Sequence, residues 1–95
     1  MSLENTTWTI SGVGDIVCNF KEKNVVTTTF QNGQSIDNNW GELDGAFAIE
    51  LHKSTTDHKK WQVFSGTYAG NISHGILYNF GVAGGPRHFT MTKNG

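Results

Sequence analysis

The stretch that decides the fold is WQVFSGTYAGNISHGILYNF, residues 61–80. Two runs rich in aromatic and β-branched side chains flank Gly70-Asn71, a dipeptide whose glycine supplies the positive φ of a type II′ turn, so the stretch reads as a two-residue β-hairpin. Punctuation of the same kind recurs on both sides: Gly12-Val13-Gly14, Glu22-Lys23-Asn24, Asn32-Gly33, Asp44-Gly45, the polar run 54–60, and Ala83-Gly84-Gly85-Pro86. Asn-Gly and Asp-Gly suit the type I′ hairpin turn, where both central residues need positive φ. The segments between these signals, 6–11, 15–21, 25–31, 35–43, 46–53, 61–69, 72–80 and 87–93, are strand-length and strand-like in composition. Eight strands joined by short turns form an antiparallel up-and-down meander.

Within the segments, apolar residues recur with period two: Trp8/Ile10, Ile16/Cys18/Phe20, Val26/Thr28/Phe30, Phe47/Ile49/Leu51, Ile72/His74/Ile76/Tyr78/Phe80 and Phe89/Met91. Each set is expected to line the inner face of one strand. No segment carries a sustained 3.6-residue period, so the fold class is all-β with minimal helix. A meander of eight strands can close as an up-and-down barrel or split into two packed sheets, and because closing removes the exposed edges a small closed barrel is expected.

The whole chain is 95 residues and 10.4 kDa, enough for a single domain spanning 1–95. A charged fraction of 16% and a net charge of -1 leave no concentrated basic surface for nucleic acid. Cys18 is the sole cysteine, which excludes an internal disulfide and a cysteine-rich zinc site. It alternates with Ile16 and Phe20 and reads as a buried small hydrophobe. No apolar run is long enough to span a membrane, and Met1-Ser2-Leu3 leads directly into polar residues without an apolar signal region. Residues 1–5 are expected to be flexible or vector-derived. A cytoplasmic chain and a secreted or periplasmic one after signal removal both fit.

Three pieces of sequence resemble a known group: Thr7-Trp8-Thr9-Ile10, the hairpin Phe64-Ser65-Gly66-Thr67-Tyr68-Ala69-Gly70-Asn71, and Gly84-Gly85 ahead of Phe89-Thr90-Met91. Together they look like the calycin group, especially avidin-like and lipocalin-like barrels. Residues 64–68 are similar to the avidin strand on which a Phe, a Gly and a Tyr share one face and the Tyr hydroxyl faces the ligand. The resemblance implies a barrel with Tyr68 pointing inward. The chain departs from biotin binders in its short length and in lacking Asn and Ser after the opening Trp, and it lacks the Gly-x-Trp of lipocalins.

An eight-stranded barrel is just wide enough to be filled by side chains or to hold one small ligand. If a mouth is open, Trp8, Trp40, Phe64, Tyr68, His74 and Tyr78 are the expected wall residues; if not, the same rings fill the core. Arg87, with His88 after the glycine-rich turn, is a candidate anion clamp at a mouth, the alternative being a polar strand start. The four histidines lie on separate segments without metal-ligand spacing, so no metal or other cofactor is expected. Catalytic signatures are absent: there is no nucleophile elbow and no phosphate-binding glycine loop. Asp37, Glu42 and Asp44 near Trp40 read as a solvated loop, or as a carboxylate pair beside a sugar platform. Asn5-Thr6-Thr7 and Asn71-Ile72-Ser73 match the glycosylation acceptor pattern, a frequent coincidence in an Asn/Thr-rich chain.

Segment 61–69 is apolar on both faces, Trp61/Val63 on one and Phe64/Tyr68 on the other. One of them is expected to meet a second subunit, which gives an isologous homodimer through Trp61, Val63 and Leu77. A β-bulge at Gly66 would produce the same pattern by switching parity midway. The expected function is a non-enzymatic binding module that holds a small apolar or amphipathic ligand, or a protein partner, at the barrel mouth. The alternatives are a small barrel enzyme using His74 or Tyr68 as general acid/base, and a carbohydrate-binding domain using exposed Trp40 and Trp61.

Overall fold

The computed structural model describes the backbone of residues 2–12, 15–52, 60–79 and 86–94, and the side chains of all of these except 52, 60, 61 and 79. The turn residues expected at 13–14, 54–59 and 83–85, and the strand ends Lys53 and Phe80, lie outside the described residues. Eight strands follow in order: β1 (Thr7–Ser11), β2 (Ile16–Phe20), β3 (Val25–Thr29), β4 (Ser35–Leu43), β5 (Ala46–His52), β6 (Lys60–Ala69), β7 (Ile72–Asn79) and β8 (Arg87–Lys93). Each pairs antiparallel with the next, and β8 returns to β1 to close the barrel. No helix occurs among the described residues, and none is long and apolar enough to cross a membrane.

Hydrophobic alternation sets which face turns in. In β2, Ile16, Cys18 and Phe20 are buried while Val17 and Asn19 face solvent, and β1, β3, β5 and β8 follow their expected parity. Among the described residues, large side chains pack the interior. Trp8, Phe20, Phe64 and Phe89 are almost wholly buried and pack edge to face with neighbours, Phe64 on Phe89 at 5.2 Å and Phe20 on Trp40 at 5.1 Å between centroids, the arrangement the ring quadrupoles favour. Two buried polar side chains among them are satisfied internally: Asn38 Nδ2 donates to Thr28 Oγ1 at 2.8 Å and to the Ile36 carbonyl at 3.2 Å, as burial of an amide requires.

The turns mostly obey their sequence. Asp44 and Gly45 both have positive φ (53° and 81°), as type I′ demands, and Gly70 (62°) is followed by Asn71 without positive φ, as type II′ demands. Asn32-Gly33 differs. Only Gly33 is left-handed (84°), and the Phe30 amide donates to the Gln34 carbonyl at 2.9 Å, so residues 31–33 form a three-residue loop with glycine at the left-handed position rather than a type I′ turn.

Strand β7 corrects the sequence reading. Its inward residues are Ser73, Gly75 and Leu77, while Ile72, His74 and Tyr78 face out. The cause lies in the hairpin. A two-residue turn makes Ala69 and Ile72 register partners, and partners share a face, so an inward Tyr68 forces Ser73 inward and Ile72 outward. Interior volume agrees: Gly66 and Gly75 pair directly, and Phe47, Phe64 and Phe89 cluster beside them. No bulge falls at Gly66; the irregularity lies between Leu51 and His52, where β5 meets β6.

Candidate functional site

One end of the barrel carries the turns 21–24, 44–45 and 70–71 together with residues 2–6. Strand β4 ends there, and its inward parity runs Asn38, Trp40, Glu42. Glu42 is opposite Phe47 on β5, and Phe47 is opposite Gly66 on β6, so the Glu42 carboxylate projects to the mouth, where β6 delivers Tyr68. The Tyr68 hydroxyl donates to Glu42 Oε2. The other carboxylate oxygen accepts the Ser2 hydroxyl and, at 3.0 Å, the Leu3 amide. The Tyr68 ring is held edge-on to Trp8 at 6.3 Å and tilted against Phe47 at 6.4 Å.

These contacts set the protonation states. Burial works against the charged Glu42, but hydrogen bonds from Ser2, Tyr68 and the Leu3 amide outweigh it and hold the carboxyl below its ordinary value. Burial first, then the bond to Glu42 and its negative charge, push the Tyr68 phenol up to about 12. The pair is therefore a carboxylate accepting from a neutral phenol. Beside it opens a cleft of about 550 Å³ lined by Glu42, Leu43, Asp44, Gly45, Tyr68, Ala69 and Gly70, within the roughly 300–1,000 Å³ typical of small-ligand sites. Leu43 is 76% exposed at its rim.

The remaining candidates are dispersed. Trp8 and Phe64 are core residues at 0% and 1% exposure, and the Trp8 indole donates to Thr6 Oγ1 at 2.8 Å. Trp40 is no exposed platform: it is buried, and its Nε1 donates to the Lys21 and Val25 carbonyls at 3.2 and 3.0 Å, clamping the β2–β3 turn. His74 and Tyr78 lie on the outer face because β7 has the opposite parity to that expected, so His74 and Tyr68 are on opposite sides of the barrel wall. Arg87 is exposed at the other end, in register with Leu77; the glycines of the proposed clamp lie outside the described residues. Leu77, expected on an outer patch, is buried at 2%. Val63 faces out and is half-buried, and the Trp61 side chain lies outside the described ones.

The three acids near Trp40 also separate. Asp37 faces out and accepts from Thr27 Oγ1 at 2.6 Å, Asp44 sits in its turn, and Glu42 alone enters the mouth. Among the described residues no three His, Cys, Asp or Glu side chains gather as a metal site would require.

Two features escaped the sequence reading. The inward role of Glu42 was signalled by its parity with Trp40. That of Leu3 carried no local signal: it is fully buried in the core cluster, within the residues 1–5 expected to be flexible or vector-derived. No protein-family model, curated protein or solved structure matches this chain.

Proposed function

We propose that this protein is a non-enzymatic binding module whose ligand site is the barrel mouth at Glu42 and Tyr68, and that its architecture is calycin-like. The observation that carries the reading is the carboxylate–phenol pair set beside an open cleft, at the end of a barrel whose interior is otherwise packed with side chains. The described core side chains pack the interior below this mouth, so the reading places the ligand at the rim. Leu43 and Ala69 offer apolar contact there, and Glu42 and Asp44 accept hydrogen bonds, which suits an amphipathic molecule bearing N–H or O–H donors. Native mass spectrometry of the purified protein tests this: the expected result is co-purified or added small amphipathic mass that Glu42→Gln and Tyr68→Phe both reduce. Binding unaffected by either substitution would overturn the site.

A second copy as partner is favoured by one specific feature. Val63 and Tyr78 are register partners on the outer face of β6 and β7, with Ile76 beside them and Ile72, 54% exposed, further along. We read this stripe as the face of an isologous homodimer, with Tyr78 in the place expected of Leu77.

A further inference from the structure

The Glu42 mouth is closed by the chain's own residues 2–6, and the manner of closure describes a ligand. The Leu3 side chain is fully buried in the same cluster as Trp8, Phe20 and Trp40, with Tyr68 packed against that cluster. Hydrogen bonds hold the described residues of the arm as well. Glu42 accepts the Ser2 hydroxyl and the Leu3 amide. The Leu3 carbonyl accepts the Thr6 amide at 3.1 Å and the Thr6 hydroxyl, and the Asn5 amide donates to the Phe20 carbonyl at 2.8 Å. The Glu4 and Asn5 side chains face solvent, and Ser2, though exposed, turns its hydroxyl to Glu42. The mouth thus reads one aliphatic side chain, one hydroxyl and one backbone N–H, and ignores the rest.

The arm's backbone bonds to β2 begin at residue 5: the Asn5 amide meets the Phe20 carbonyl, and the Phe20 amide donates to the Thr6 carbonyl at 2.9 Å. The arm precedes β1 and belongs to no strand. Its junction contains Asn5 at a φ of 63°, a left-handed conformation that asparagine tolerates and that lets the chain reverse direction over the mouth. Withdrawal of residues 2–4 would leave the eight-strand ladder whole and expose a leucine-sized pocket beside Glu42 and Tyr68, the two residues that also line the cleft at 42–45 and 68–70.

We propose that this mouth is a peptide-binding site, specific for a hydroxyl-bearing residue followed by a leucine-sized aliphatic residue, and that Ser2 and Leu3 occupy it in cis as a self-ligand. The proposal rests on the reading of the mouth as the ligand site and names the ligand class. Glu42 supplies the polarity filter: it rewards backbone and hydroxyl donors and repels an acidic side chain at the leucine position.

The test is a titration of acetyl-Ser-Leu-Glu-Asn-amide into the isotope-labelled full chain, followed by amide chemical shifts, for the unaltered protein and for Leu3→Ala. The expected result is shifts at Glu42, Gly45, Tyr68 and Gly70, with binding to Leu3→Ala at least about tenfold tighter because the competing self-ligand has lost its anchor, and no binding of the peptide carrying Asp in place of Leu. Equal affinity for both proteins, or shifts elsewhere, overturns the proposal. Should Leu3→Ala not fold, hydrogen exchange on the unaltered chain decides: Leu3 and Asn5 amides less protected than those of Trp8 and Ile10 support a separable arm, and equal protection overturns it. A small molecule that binds the mouth when the peptide does not refutes this inference while leaving the proposed function standing; if neither binds there, both fall.

Discussion

Gly66 and Gly75 face each other across β6 and β7, both inward, so closely that a Cβ on Gly75 would lie 2.8 Å from the Gly66 Cα and 2.7 Å from Phe89 Cζ. The pair is the small half of a large-to-small arrangement in which Phe47, Phe64 and Phe89 are the large half. Gly75→Ala is expected to lower stability by about 1–3 kcal/mol through overpacking. Gly41→Ala, where a Cβ meets nothing within 4 Å, is the control and should be neutral, or stabilising by up to about 1 kcal/mol, because glycine is entropically costly in a strand. Urea denaturation of the two variants checks the contrast, and similar midpoints would refute the packing account.

The Glu42–Tyr68 pair predicts an acid limit. The folded state holds the Glu42 carboxyl below its ordinary value of 4.5, so its contribution to stability is complete above that pH and is lost as pH falls through the folded value. Glu42→Gln should cost about 1 kcal/mol at pH 7 and flatten the stability curve below pH 4.5, measured by thermal melts across pH.

At the alkaline end, the Tyr68 phenol is held up to about 12. The unfolded chain loses that proton at lower pH, so stability should decline as pH rises above the ordinary value of 10.0. Tyr68→Phe should remove one tyrosinate absorbance transition near pH 12, and a transition already complete at pH 10 would contradict the bond to Glu42.

Cys18 is fully buried, and burial pushes its thiol up to about 12 from an ordinary 9.0. Between those values the unfolded thiol is ionised and the folded one is not, which removes up to about 1.4 kcal/mol of stability per pH unit. The native protein should therefore be inert to a chromogenic disulfide reagent at pH 8 and react at full stoichiometry in denaturant. Prompt labelling of the folded protein would show that the interior is open to solvent.

The outer stripe on β6 and β7 predicts a dimer that one charge dissolves. Val63 is register partner to Tyr78, itself 41% exposed, so Val63→Glu or Tyr78→Lys should give a soluble monomer by light scattering. An unchanged mass for both variants would remove this face as the contact.

Local sequence set the elements and favoured closure over two packed sheets, and the structure closes them. Turn dipeptides fix where strands end, and period-two alternation fixes which face of β1, β2, β3, β5 and β8 is buried; an edge-free arrangement of eight such strands is a barrel. The β7 parity was also determined, because a two-residue turn after an inward Tyr68 places Ser73 inside, but apolar Ile72, Ile76 and Tyr78 outweigh Ser73 and Gly75 when the strand is read alone. Tertiary structure decided what no local pattern encodes. Whether Trp8 and Trp40 line a pocket or fill the core depends on the volume left by Phe20, Phe47, Phe64 and Phe89, a sum over four other strands. That the inward Glu42 meets Tyr68 depends on the registers of β4 on β5 and of β5 on β6, which bring the two to the same level of the mouth. That Leu3 seals the same mouth depends on a free apolar surface which exists only once all eight strands have closed, since its burial comes from residues that adjoin it in space and not in sequence.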